Sequence, residues 1–249
     1  AKDTIGADVG PQNTGDPADY VYSAVSVNTF DTDVALQGDG INDVDEWHHV
    51  AVSFDETTGE LKLYFDYLLA QTRTLLDSEA NGYTHPAANI VFGKLSGGTY
   101  GLLMDELRYS GDILTPGSFL REPVTVTGST TAFWRIEEDD AAEGGDIISL
   151  ENEGSVLFAA APVSGAPKYS TDVPGTTIFD PVSGTSYPNE FSLDATLGNA
   201  RVGAGYDVAF DTSFTMETFI KLVGEPGGYH GFMRRYQTAD LRWQVDFDS

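Results

Sequence analysis

The 249-residue chain carries 13 Lys+Arg against 39 Asp+Glu, a formal charge of -26, with 41% hydrophobic and 12% aromatic residues. The apolar content is ample for a packed core and argues against disorder over the whole length, while so acidic a surface repels phosphate backbones and anionic lipid, so nucleic acid and membrane are poor partners. With no cysteine, disulfides and thiolate zinc sites are excluded, and no apolar run approaches the roughly 18 residues of a membrane helix.

Helical periodicity is almost absent, and short alternating or apolar runs recur instead. In chain order they are YVYSAVSV (20–27), HHVAVSF (48–54), ELKLYFD (60–66), NIVFG (89–93) and YGLLMDELRYS (100–110). TAFWRIE (131–137), TSFTMETFIKL (212–222), GFMRRY (231–236) and RWQVDF (242–247) follow. Gly, Asn, Asp and Pro separate them, as turns between antiparallel strands require. The pattern predicts an all-β chain folded as an antiparallel β-sandwich or barrel. Two stretches interrupt it. REPVTVTGSTT (121–131) reads as a boundary. The Pro/Gly/Ser/Thr-rich segment 159–189 is too long for a structureless loop in a compact domain and reads as short strands, anchored by Ile178 and Phe179.

The acidic run LQGDGINDVDEW (36–47) places Asp39, Gly40, Asp43 and Glu46 at positions 5, 6, 9 and 12 of a calcium loop, with Asp45 as a spare ligand. Ala35 and Gln37 stand at positions 1 and 3, so two carboxylates are missing, and an acidic solvated loop is the competing reading. Calcium is the one cofactor this sequence suggests. His48 and His49 are adjacent and point to opposite faces, which predicts one packed and one exposed. His85 and His230 lie in separate loops, so no histidine spacing marks a metal site or a nucleophile triad.

The hairpin DEWHHVAVSFDETTGELKLYFD (45–66) resembles that of laminin-G-like and pentraxin-like domains in the concanavalin A-like lectin/glucanase group. YGLLMDELRYSGDILTPGSF (100–119) resembles the closing strand of that family, FTMETFIKL (214–222) its early strand, and AFWRIEE (132–138) its opening strand. The resemblance covers about half of the chain and implies a concanavalin A-like jelly roll. Two positions depart from the pattern. Tyr67 stands where the family has a glycine suited to positive φ, and Phe219 stands where it prefers Trp. The motif order is also rotated. The family's late motifs occupy 1–121 and its early ones 131–249, joined by a linker at 122–130.

That order implies a circularly permuted sandwich. Residues 131–249 complete either residues 1–121 of the same chain or those of a neighbouring copy, with the neighbour favoured. The start at Ala1 and the strand running to Ser249 fit a frame cut from a tandem array or filament. Glucanases of the superfold use Glu-x-Asp-x-x-Glu on one strand, and Glu138, Asp140 and Glu143 match that spacing. Asp139 and the following AAEGG read instead as a solvated acidic turn, so no catalytic residue is assigned. Asp105 and Glu106 are adjacent and are expected on opposite faces of their strand, with the Asp holding loop backbone. The resulting expectation is a non-catalytic extracellular or cell-surface module, structural or adhesive, whose partners are other copies of itself. A calcium-dependent glycan-binding lectin module is the alternative, with a glycoside hydrolase ranked below both.

Overall fold

The computed structural model describes residues 4–11, 25–28, 45–55, 57–74, 89–95, 101–120, 129–155, 159–175, 177–180, 185–204, 213–224, 230–236 and 241–248. Its strands are β1 (Thr4–Pro11), β2 (Val25–Asn28), β3 (Trp47–Asp55), β4 (Glu60–Phe65), β5 (Leu68–Thr74), β6 (Asn89–Gly93) and β7 (Gly101–Ser110). There follow β8 (Thr130–Trp134), β9 (Ala161–Ser164), β10 (Lys168–Ser170), β11 (Thr177–Asp180), β12 (Thr185–Pro188) and β13 (Ser192–Asp194). The last four are β14 (Arg201–Ala204), β15 (Phe214–Val223), β16 (His230–Tyr236) and β17 (Leu241–Asp248). The described residues of the 159–189 segment include four short strands, as its composition predicted.

The pairing is antiparallel throughout, and the sheets pack as a sandwich. One sheet runs β2-β1-β17-β16-β6-β14-β9. The other runs β10-β13-β7-β15-β3-β4-β5, with β8 also on β7, and β11 pairs β12 in a separate ribbon. Both large sheets therefore interleave strands from the two sides of the 121–128 segment within one chain. In the first, β1 lies beside β17, with Thr4 opposite Asp248. In the second, β15 sits between β3 and β7.

Alternation explains the core. Val50, Val52 and Phe54 of β3 pair with Phe65, Leu63 and Leu61 of β4. All six enter one buried cluster with Ile90, Phe92, Val202 and Phe232 of the facing sheet. Phe92 and Trp134 meet at 5.3 Å between centroids. Each such side chain contributes about 1.5–3 kcal/mol by leaving water.

The outer face of the second sheet is covered as well. After β7 the chain turns through Pro116–Ser118 and lays Leu114, Phe119 and Leu120 over Ala51, Tyr64, Phe133 and Phe219. This cover alters the expectation for the histidines. His48 stacks on Phe65 at 4.7 Å and His49 lies under the outer cover, so both are buried rather than one exposed. It also explains Tyr67. Asp66 and Tyr67 adopt φ of 45° and 68°, the left-handed turn that a glycine would take without strain. The Tyr67 ring stacks on His49 at 4.4 Å and 10°, a contact that offsets the backbone cost.

The period-two expectation fails at Asp105–Glu106. Glu217 of β15 faces Arg108, but Phe219 faces Asp105, so β7 carries an extra residue there, and Glu106 has φ 52°. Leu102 and Met104 before the two acids, and Leu107 and Tyr109 after them, enter the core cluster, so the inward alternation resumes one residue late. A bulge, not alternation, sets their direction.

Candidate functional site

On the edge of β7 away from β15, β13 pairs Leu103 and Met104, and β8 pairs Leu107 through Ser110. Asp105 and Glu106 fall in the gap between these two partners. Asp105 is fully buried. Its Oδ1 accepts the Glu106 N–H at 2.8 Å, its Oδ2 accepts from Asn189 Nδ2 at 2.5 Å, and its carbonyl accepts from Thr218 Oγ1 at 2.8 Å. The expected hold on loop backbone is not what these bonds show: the carboxylate binds a loop side chain, Asn189, and the backbone of its own strand. Glu106 is equally buried, and among the described residues neither of its carboxyl oxygens has a hydrogen-bond partner. Burial, reinforced by the neighbouring Glu106 charge, holds Asp105 well above the carboxylate range. Burial likewise pushes Glu106 up to about 8; Arg135 opposes this while Glu137 and Glu153 add to it.

Beside the gap opens a cleft of about 400 Å³, lined by Arg135 to Asp140, Ile148, Ser149, Glu151, Glu153 and Tyr169. Its first wall is the chain leaving β8. Ile136 at φ 66° ends the strand and turns the acidic run Glu137–Asp140 into the cleft. Six carboxylates face one guanidinium there, so the cavity attracts cations and hydroxyl donors and repels anions. Arg135 Nη2 binds Glu153 Oε2 at 2.7 Å, with the arginine buried and the glutamate 40% exposed.

Two of the lining acids also hold neighbouring backbone. Glu137 Oε1 accepts the N–H groups of Glu190 and Phe191 at 2.8 and 2.7 Å. Glu138 Oε1 accepts from Glu151 N at 3.0 Å, and its Oε2 accepts from the Tyr169 hydroxyl at 3.1 Å. Burial raises both acids, Glu137 to about 7, with the charges of Glu190 and Glu138 adding to it and its two backbone bonds opposing. Burial, then the Glu138 charge, raises Tyr169 too. The expectation of a solvated turn at Glu138 is thus corrected. Glu138 is half-buried and tied on both oxygens, whereas Asp140 is exposed. Glu143 is also exposed, and its Oε2 accepts from Thr171 N at 2.5 Å.

The calcium candidates are not brought together by what is described. Asp39 and Asp43 lie outside the described residues. Asp45 and Glu46 are exposed, and Asp45, at φ 71°, donates its N–H to Leu222 O at 2.8 Å. Among the described residues no three His, Asp or Glu side chains gather to hold a metal ion. His85 is likewise outside the described residues.

A second buried polar group lies beneath the outer cover. Glu217 Oε1 accepts from Arg108 Nε at 2.7 Å and from Nη2. Its Oε2 lies 2.9 Å from His49 Nε2 and accepts the Leu120 N–H at 2.7 Å. Arg108 Nη2 also donates to Ser118 O at 2.6 Å. The three side chains fasten the 111–120 segment to the sheet. Sequence reasoning missed this group and the Glu137 and Glu138 tethers, because their partners lie tens of residues away. The one available signal was the unusual charge inside apolar strands, Glu217 in FTMETFIKL and Arg108 in LRYS.

No protein-family model matches the chain, and no curated protein sequence matches it.

Proposed function

We propose that the chain is a non-catalytic extracellular module, structural or adhesive, with a laminin-G-like jelly roll of the concanavalin A-like type and the acidic cleft as its contact surface. On this reading residues 1–121 and 131–249 correspond to the late and early parts of that domain, and the module repeats within a large surface or fibre-forming protein. The observation that carries it is the use of the cleft's acids. Hydrolysis of a glycosidic bond needs one carboxyl free to protonate the leaving oxygen and a second facing it. Both Glu138 oxygens and Glu137 Oε1 are instead occupied in holding loops. Such fixed acids suit recognition of a cation or a polyol, which needs a rigid negative surface.

One observation favours the hydrolase as a second reading: Glu137, raised to about 7 within a cleft, has the proton affinity of a general acid. Hydrolysis assays on β-glucans separate the two. The module reading expects no turnover, and turnover abolished by Glu137→Gln overturns it. Glycan arrays run with and without calcium then distinguish a scaffold from a calcium-dependent lectin. Binding that appears only with calcium and disappears in Asp39→Ala or Asp43→Ala favours the lectin.

A further inference from the structure

Glu106 stands one step beyond the last pair of the β7–β8 ladder, Leu107 with Trp134, and Arg135 is the corresponding residue on the other strand. Arg135 is therefore placed between two acids, one buried without a hydrogen-bond partner among the described residues and one on the cleft wall, to which it is bonded at 2.7 Å. We propose that Arg135 is a two-position switch: it holds Glu153 while Glu106 carries a proton, and turns to Glu106 when that carboxyl ionises, so that Glu153 faces the cleft without this counter-charge.

The described residues around Glu106 offer few other ways to stabilise its ionised form. From its own strand, Arg108 is committed to Glu217 and to the Ser118 carbonyl, and Asp105 is a second buried acid held by Asn189. From the segment after β8, Glu137 adds negative charge and is bound to the Glu190–Phe191 backbone. From β15, Thr218 is engaged with the Asp105 carbonyl. Arg135 is the cation acting most strongly on Glu106, and its present partner is half in water and loses little by being released. Glu106 sits at φ 52° on a bulge, a strained conformation of the kind that accompanies switching elements. The consequence is a cleft that becomes more negative as pH rises through neutrality. The inference goes beyond the proposed function and does not depend on what the cleft binds.

The test is carboxyl ¹³C NMR of the full chain, labelled at glutamate and titrated from acid to alkaline pH. Glu106 is expected to titrate with a midpoint near 8, and Glu153 to show a second inflection at that same midpoint as it loses Arg135. In Glu153→Gln the guanidinium has lost that carboxylate from the outset, so the Glu106 midpoint should fall by about one unit, tenfold in proton affinity. In Glu106→Gln the second inflection of Glu153 should vanish. The proposal is overturned if Glu106 titrates in the ordinary carboxylate range, if Glu153→Gln leaves its midpoint unmoved, or if the Glu153 inflection survives Glu106→Gln. Because Glu153 is on the surface, the wild-type and Glu153→Gln titrations decide the matter even if Glu106→Gln fails to fold.

Discussion

Glu217→Gln preserves the shape of the side chain and removes its charge. The side chains of Glu217, Arg108 and His49 are each 1% exposed. The carboxylate receives Arg108 on one oxygen, and the Leu120 N–H with His49 on the other. A glutamine must turn its NH₂ toward one of these sets and leave donor against donor. Removing one partner of a buried ion pair costs about 3–5 kcal/mol, because the remaining charge stays desolvated. For a chain of this size that is a fall of roughly 6–20 °C in Tm. Urea denaturation at neutral pH measures it, with Arg108→Met/Glu217→Leu as the companion variant. Replacing both charges by apolar groups should recover only part of the loss: the stranded charge is gone, but the Leu120 N–H, His49 Nε2 and the Ser118 carbonyl lose their partners. A loss below about 1 kcal/mol in Glu217→Gln would refute the reasoning, and so would a double variant as unstable as the single.

The same residue gives a pH signature. Burial alone would raise Glu217, but the His49 bond and charge, the Arg108 charge and the Leu120 N–H outweigh it and hold it below its ordinary 4.5. Its contribution is therefore present above 4.5 and lost as pH falls through the lower folded value, so acid unfolding should be shallower in Glu217→Gln than in wild type. Tyr67→Ala keeps the left-handed backbone and loses the stack on His49, whereas Tyr67→Gly loses the stack and relieves the strain. Thermal melts should place the glycine variant about 1 kcal/mol above the alanine one, and equal stabilities would remove the strain argument. Glu138→Ala should cost about 1–3 kcal/mol through its two lost tethers, while exposed Asp140→Ala stays within about 0.5; a chemical denaturation series compares them. Gly154→Ala should lose about 1–3 kcal/mol, because its Cβ would stand 2.4 Å from the Thr131 carbonyl oxygen, a backbone atom that cannot step aside; a wild-type melt would contradict this.

What was legible in the sequence was local. In the β3–β4 hairpin, the alternation of Val50, Val52 and Phe54 against Leu61, Leu63 and Phe65 fixes both faces, and the structure pairs them in that register. The Pro/Gly-rich 159–189 segment is legible as strands because a compact domain does not keep so long a bare loop. The failures share a cause. The bulge at Glu106 depends on how β15 meets β7, and those strands are more than 100 residues apart. Glu138 appeared to be one of many acids in a turn because its partners, Glu151 and Tyr169, are not its sequence neighbours. For His48 and His49 the opposite facing follows from alternation, but the Leu114–Leu120 cover that buries the outer face does not.

The position of β15 bears on how the chain is made. It pairs Phe214 with Phe54 and Thr215 with Ser110, so the strand between β3 and β7 is synthesised long after both of its neighbours. Until residues 214–223 leave the ribosome, β3 and β7 each carry an unsatisfied edge, and Arg108 and His49 lack the carboxylate that neutralises their site. Such distant pairing closes slowly and leaves nascent edges open to other chains. Mutual repulsion between copies of so acidic a chain opposes contact between those edges during the wait. The acidity that argues against nucleic acid as a partner also protects the unfinished chain, and high salt during refolding should therefore increase aggregation.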